Sequence, residues 1–132
     1  MGKKYWTFKT FQSGLSAIFQ DYQILSMEYL WGKKGGGAGS GEVWRNVNKS
    51  LKEKGKKISR ASVIFFLNDM VDHEILEYVE RTGKGGYHRI YTPVFNEMGF
   101  KEHLAKMIIS KLSQDFPEET KTAIWKLQRG RP

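Results

Sequence analysis

Residues 58–93, ISRASVIFFLNDMVDHEILEYVERTGKGGYHRIYTP, change their apolar period halfway along. Ser59 is placed to cap a helix, and Val63, Phe66, Leu67 and Met70 recur at i, i+3, i+4 and i+7, the spacing of one buried helical stripe. Beyond them Leu76, Tyr78 and Val79, then Tyr87, Ile90 and Tyr91, make two β-prone runs around Gly83-Lys84-Gly85-Gly86. That pattern is a hairpin with a basic tip. A helix leading directly into such a hairpin is the core of a winged helix-turn-helix, whose helix enters the major groove while the hairpin lies beside it on the backbone. The expected fold is α+β, mainly α: a three-helix core with a β-hairpin wing, followed by C-terminal helices.

Working outward, Leu15, Ile18, Phe19, Tyr22, Leu25, Tyr29 and Leu30 keep a helical stripe, with Ser13 or Ser16 as N-cap and Gly32 ending the pattern. The segment Gly32 to Gly41, GKKGGGAGSG, has neither the Gly-Lys-Ser/Thr ending of a phosphate loop nor a G-x-G-x-x-G register. It reads as a flexible connection. Ser40 is the expected N-cap of the next helix, with Glu42 in its first turn, Val43, Val47 and Leu51 inward, Trp44 flanking and Gly55 closing it. Lys52, Lys54, Lys56 and Lys57 load that end, where cations suit the helix dipole and also precede the recognition helix. After the hairpin, Phe100, Leu104, Met107, Ile108, Lys111 and Leu112 predict a long helix. Pro117 breaks it, and residues 118–127 form a last helix with Ala123, Ile124 and Leu127 inward. The expected organisation is an N-terminal arm or strand over 1–14, a winged-helix domain over 15–95 and C-terminal helices over 96–132. A winged-helix core is already filled without those last helices, so a second subunit is the expected cover for their apolar stripe, in a C2 homodimer.

Composition narrows the function. The 132 residues carry 22 Lys and Arg against 14 Asp and Glu, a net charge of +8, which favours a polyanionic partner. There is no cysteine, so disulfides and thiolate metal sites are excluded. No apolar run approaches the roughly 20 residues of a membrane span, and the N-terminus lacks the apolar region of a signal peptide, so a cytoplasmic location and no membrane partner are expected. His73, His88 and His103 lie in three different elements without metal-ligand or catalytic spacing. No enzyme activity and no cofactor are expected.

From Leu15 to Pro93 the chain resembles the penicillinase-repressor family of winged-helix regulators (the BlaI, MecI and CopY type). The residues that carry the likeness are Ile58-Ser59, Ser62-Val63, Leu67, Met70, Ile75-Leu76, Gly86, Tyr91 and Pro93, in order and spacing, and less specifically Leu30-Trp31. PadR-type and MarR-type regulators share the same order of helices and wing. The resemblance implies a dimeric transcriptional repressor that occupies a promoter. Copper-responsive members carry a C-terminal cysteine cluster, which is absent here. Where the family usually has a basic and a hydroxyl residue after Val63, this chain has Ile64 and Phe65, and Asp69 stands where Arg is common.

With double-stranded DNA as partner, Ser59, Arg60, Ser62, Phe65 and Asn68 are the candidate base contacts, since they lie on or beside the face opposite the buried stripe. Lys49, Lys52, Lys56, Lys57, Arg81, Lys84, His88 and Arg89 are the candidate phosphate contacts, which set register and affinity rather than sequence. Phe100, Leu104, Met107, Ile108 and Leu112 are the candidate dimer interface. The alternative is a winged-helix module for protein–protein assembly through Ile64 and Phe65.

Overall fold

The computed structural model describes residues 7–83 and 85–130. Residues 1–6 of the expected N-terminal arm, including Trp6, and Lys84 at the hairpin tip lie outside them. The described chain is mainly helical, with one small three-stranded antiparallel sheet: α1 Asp21–Gly32, β1 Ala38–Gly39, α2 Ser40–Lys52, α3 Arg60–Asp72, β2 Leu76–Gly83, β3 Gly86–Pro93, α4 Glu97–Asp115 and α5 Pro117–Gln128. It divides into two compact units, Met1–Asn96 and Glu97–Pro132. No described helix is long and apolar enough to cross a membrane.

Helix α3 starts as its sequence requires. The Ser59 side chain accepts a hydrogen bond from the Ser62 N–H at 3.1 Å, satisfying a donor the helix itself cannot. Val63, Phe66, Leu67 and Met70 are all buried. The helix stops where Glu74 takes φ +63, and the Ile75 N–H folds back to the Met70 carbonyl at 2.9 Å. That turn delivers Ile75 and Leu76 into the core and launches β2. The hairpin follows in regular register, from Leu76 opposite Pro93 to Gly83 opposite Gly86, leaving a two-residue turn.

The turn between α2 and α3 is held through both backbone groups of one residue, Ile58. Asn48 Oδ1 accepts from the Ile58 N–H at 3.0 Å, and the Trp44 indole N–H donates to the Ile58 carbonyl at 2.8 Å. Trp44 and Asn48, one turn apart on α2, therefore fix where α3 begins. Gly55, at φ +70, lets the chain leave α2, with the Lys56 N–H closing on the Leu51 carbonyl at 3.0 Å.

Three expectations need correction. The helix read from Leu15 is split: Gly14–Ala17 form a single 3-10 turn, and α1 begins only after Gln20, whose N–H donates to the Gln23 side chain at 2.8 Å. The split leaves Ala17 and Phe19 buried, Phe19 edge-on to Phe66 with ring centroids 5.5 Å apart, and the stripe on α1 centres on Met27, which the periodicity passed over. Secondly, the glycine segment is not only a connection. Ala38 and Gly39 pair with Tyr91 and Ile90, giving a sheet of order β1-β3-β2. The helix after it begins at Ser40 itself, with Gly39 as N-cap.

The third correction concerns the C-terminal unit. Helix α4 is solvent-facing along most of its length, with three exposed i, i+4 ion pairs, Lys101–Glu97, Lys106–Glu102 and Lys111–Asp115. Within this unit the turn to α5 is closed by Thr120, whose hydroxyl donates to the Leu112 carbonyl at 2.9 Å, and Pro117 opens α5. On α5 the buried residue is Thr120. Ala123 is exposed and Leu127 is 73 % exposed, so of the three expected inward residues only Ile124 is partly covered. An apolar residue at helical spacing faces inward only where a neighbouring element meets that stripe.

Candidate nucleic-acid interface

The exposed side of α2 gathers cations by helical spacing. Arg45, Lys49 and Lys52 fall four and seven residues apart and, with Trp44 and Asn48, line an open groove of about 240 Å³. Arg45 was not singled out from the sequence, although its i, i+4 spacing to Lys49 was the available signal. A second convergence lies at the head of the same helix. A Cβ on Gly41 would stand 3.0 Å from Arg60 Nη2 and 3.4 Å from Arg45 Nη1, so the absence of a side chain there lets two guanidinium groups close on one point. Like charges brought together favour an anion beside them.

Glu42 feels the Arg45 charge, but its stronger partners lie elsewhere. Its carboxylate accepts from the Lys33 ammonium and the Tyr29 hydroxyl, tying the N-terminal turn of α2 to the end of α1. Donation by Lys33, then by Tyr29, holds the Glu42 carboxyl below its ordinary 4.5, and the same bonds raise Lys33 and Tyr29. A carboxyl lowered in the folded state contributes stability that is complete above its unfolded value and lost as pH falls through its folded one. Glu42→Gln should therefore be less stable than the wild type at pH 7. In urea unfolding that difference should shrink as pH falls below 4.5, through the lowered Glu42 value, and vanish beneath it.

The remaining expected phosphate contacts are dispersed. Lys57 is exposed late in the α2–α3 connection, while Lys56 is bridged to Asp21 at 3.3 Å, an exposed pair of little energetic weight. On the hairpin, residues directly opposite share a face. Arg81 and His88 form one such pair on the face turned from α3. Glu80 opposite Arg89, and Thr82 opposite Tyr87, lie on the face that meets α3.

Of the expected base contacts, Ser59 is occupied as the N-cap of α3 and also donates to the Ser62 hydroxyl at 2.9 Å. Arg60 is exposed beside Gly41, and Phe65 is 65 % exposed in the middle of the helix. Asn68 is half-buried, and its Oδ1 accepts from the Tyr91 hydroxyl at 2.6 Å and from Arg89 at 3.0 Å. The Arg89 guanidinium in turn lies 3.9 Å over the Tyr78 ring. Asn68, Arg89, Tyr78 and Tyr91 thus lock the hairpin against α3, a structural task that the sequence reading had divided between bases and phosphates. Burial raises the Tyr91 hydroxyl above its ordinary 10.0, so it stays a neutral donor.

The expected dimer residues differ in exposure: Phe100 is buried, Leu104, Met107 and Ile108 are half-buried, and Leu112 is exposed. The histidines remain dispersed. The His73 ring Nδ1 is 2.9 Å from the Asp69 carbonyl oxygen, and no group of His, Asp and Glu suited to a metal ion occurs among the described residues. Comparison of the chain with family models, with curated proteins and with solved structures found no match.

Proposed function

We propose that residues 15–95 are a winged helix-turn-helix that binds double-stranded DNA, α2 and α3 forming the helix-turn-helix and β2–β3 the wing. The observation that carries this is the pairing of Ala38 and Gly39 with β3, which closes the order helix, strand, helix, helix, hairpin into a single sheet beside α3. Helix α3 then lies in the major groove, its head flanked by Arg60 and Arg45, while Lys49 and Lys52 meet the backbone. The C-terminal helices dimerise the chain, and the dimer acts as a cytoplasmic transcriptional regulator that represses by occupying a promoter. Exposed Ile109, Leu112, Phe116 and Trp125 on α4, the turn and α5 support a second copy as their cover.

A different role has one observation in its favour: Phe65 is a large exposed apolar residue in the middle of α3, as a protein-docking surface would need. Salt separates the two. Fluorescence anisotropy with a mixed-sequence 30-base-pair duplex should show affinity falling by about 10³–10⁵ between 50 and 200 mM salt for 6–10 phosphate contacts. An absence of binding at 50 mM salt would exclude the DNA-binding role and leave Ile64 and Phe65 as the surface to probe for a protein partner.

A further inference from the structure

Opposite the buried stripe of α3 the helical period places Ala61, Phe65, Asn68 and Asp72. Little on this face is suited to reading base edges by hydrogen bonds. The Asn68 carbonyl oxygen is already taken by Tyr91 and Arg89, and Asp72 is an anion at the last residue of the helix. At the other end the Ser59 hydroxyl is bonded to Ser62. What the middle of the helix offers instead is the ring of Phe65, 65 % exposed, with Ile64 half-buried beside it. Cations stand toward both ends of this face, at the head of α3, where Arg60 and Arg45 meet over Gly41, and one turn beyond Phe65, where Arg89 bonds Asn68. An apolar ring framed by cations fits a polyanion that carries apolar groups on the floor of a groove. In the major groove of duplex DNA that group is the C5-methyl of thymine.

We propose that α3 selects duplex DNA by its thymine methyls, with Phe65 seated against the C5-methyl groups of neighbouring A·T pairs. This rests on the DNA-binding role proposed above and states what the helix recognises there. Specificity then comes from apolar contact, and the hydrogen-bonding residues of α3 serve its cap and its junction with the hairpin.

The test uses the full chain and 30-base-pair duplexes that differ only at C5. An alternating A·T duplex is compared with the same duplex carrying deoxyuridine for thymine, and a G·C-rich duplex is compared with and without 5-methylcytosine. Burying two methyl groups should favour thymine over uracil about tenfold in anisotropy titrations. The 5-methylcytosine duplex should bind more tightly than its unmethylated counterpart. Phe65→Ala should bind each pair alike, and Phe65→Leu should retain a preference. The exposure of Phe65 means that neither variant disturbs the core, and unchanged far-ultraviolet circular dichroism checks this. Equal wild-type affinity for the thymine and uracil duplexes overturns the proposal while leaving salt-dependent DNA binding in place, as does a methyl preference that survives Phe65→Ala. Failure to bind any of these duplexes at 50 mM salt overturns the DNA-binding role and this proposal together.

Discussion

Gly37→Ala should destabilise the protein by about 3 kcal/mol, read as a fall of about 10 °C in Tm or as an earlier urea midpoint. Two effects add. Gly37 has φ +69, a conformation that opposes any Cβ by about 1–2 kcal/mol. A Cβ there would also stand 2.3 Å from the Tyr91 carbonyl oxygen and 2.7 Å from the Thr92 hydroxyl. The Thr92 side chain can rotate away, but the backbone of β3 cannot. The strain is relieved only by lifting β1 from β3, which uncovers Ala38 and Tyr91, both buried. Gly35 and Gly36 supply the comparison. They also have positive φ, +65 and +74, but nothing stands within 4 Å of a Cβ on either. Gly35→Ala and Gly36→Ala should each lose only the conformational part. If all three variants proved equally stable, Gly37 would not be packed against β3 as described.

Arg45→Ala/Lys49→Ala/Lys52→Ala should weaken binding to a mixed-sequence duplex by about 10²-fold at 0.15 M salt. The slope of log affinity against log salt should flatten by roughly 2.7, about 0.9 for each lost phosphate contact. All three side chains line the same groove on α2, so removing them leaves the core untouched. Loss of three positive charges alone would also weaken binding through the overall field. Lys101→Ala/Lys106→Ala/Lys111→Ala controls for that, since it removes the same charge from α4, where each lysine already pairs with a carboxylate. Its effect should be several-fold at most. Equal losses in the two triple variants would mean that net charge, not the α2 groove, governs the association.

How the hairpin meets α3 shows where a residue-by-residue reading stops. Asn68 lies on an outward position of its helix and Arg89 among the cations around the hairpin tip, and for those separate reasons both are expected to meet DNA. Twenty-one residues apart in sequence, they instead bond each other and Tyr91. Periodicity ranks positions by the direction they point along one helix or strand, and it carries no information on which other element occupies that direction. Trp44 shows the same limit from the other side: flanking the apolar stripe of α2, it is the donor that holds the Ile58 carbonyl and sets the entry to α3.

What the sequence determined by itself is what short-range chemistry determines. The Ser59 cap and the stripe from Val63 to Met70 mark α3, the β-prone runs around Gly83 and Gly86 mark the hairpin, Val43, Val47 and Leu51 mark α2, and the net charge of +8 follows from composition alone. Each depends on neighbours within a turn or two, or on none. Tertiary structure alone decided that a glycine-rich segment becomes the third strand and that the helix expected from Leu15 breaks so that Phe19 can pack on Phe66. It also decided that Arg45 and Arg60 converge over Gly41, and that Ala123 and Leu127 stay exposed. These outcomes depend on partners up to some fifty residues away, such as Tyr91 for Ala38. A strand of two residues has no period to read, and its hydrogen bonds are specified only once β3 lies beside it.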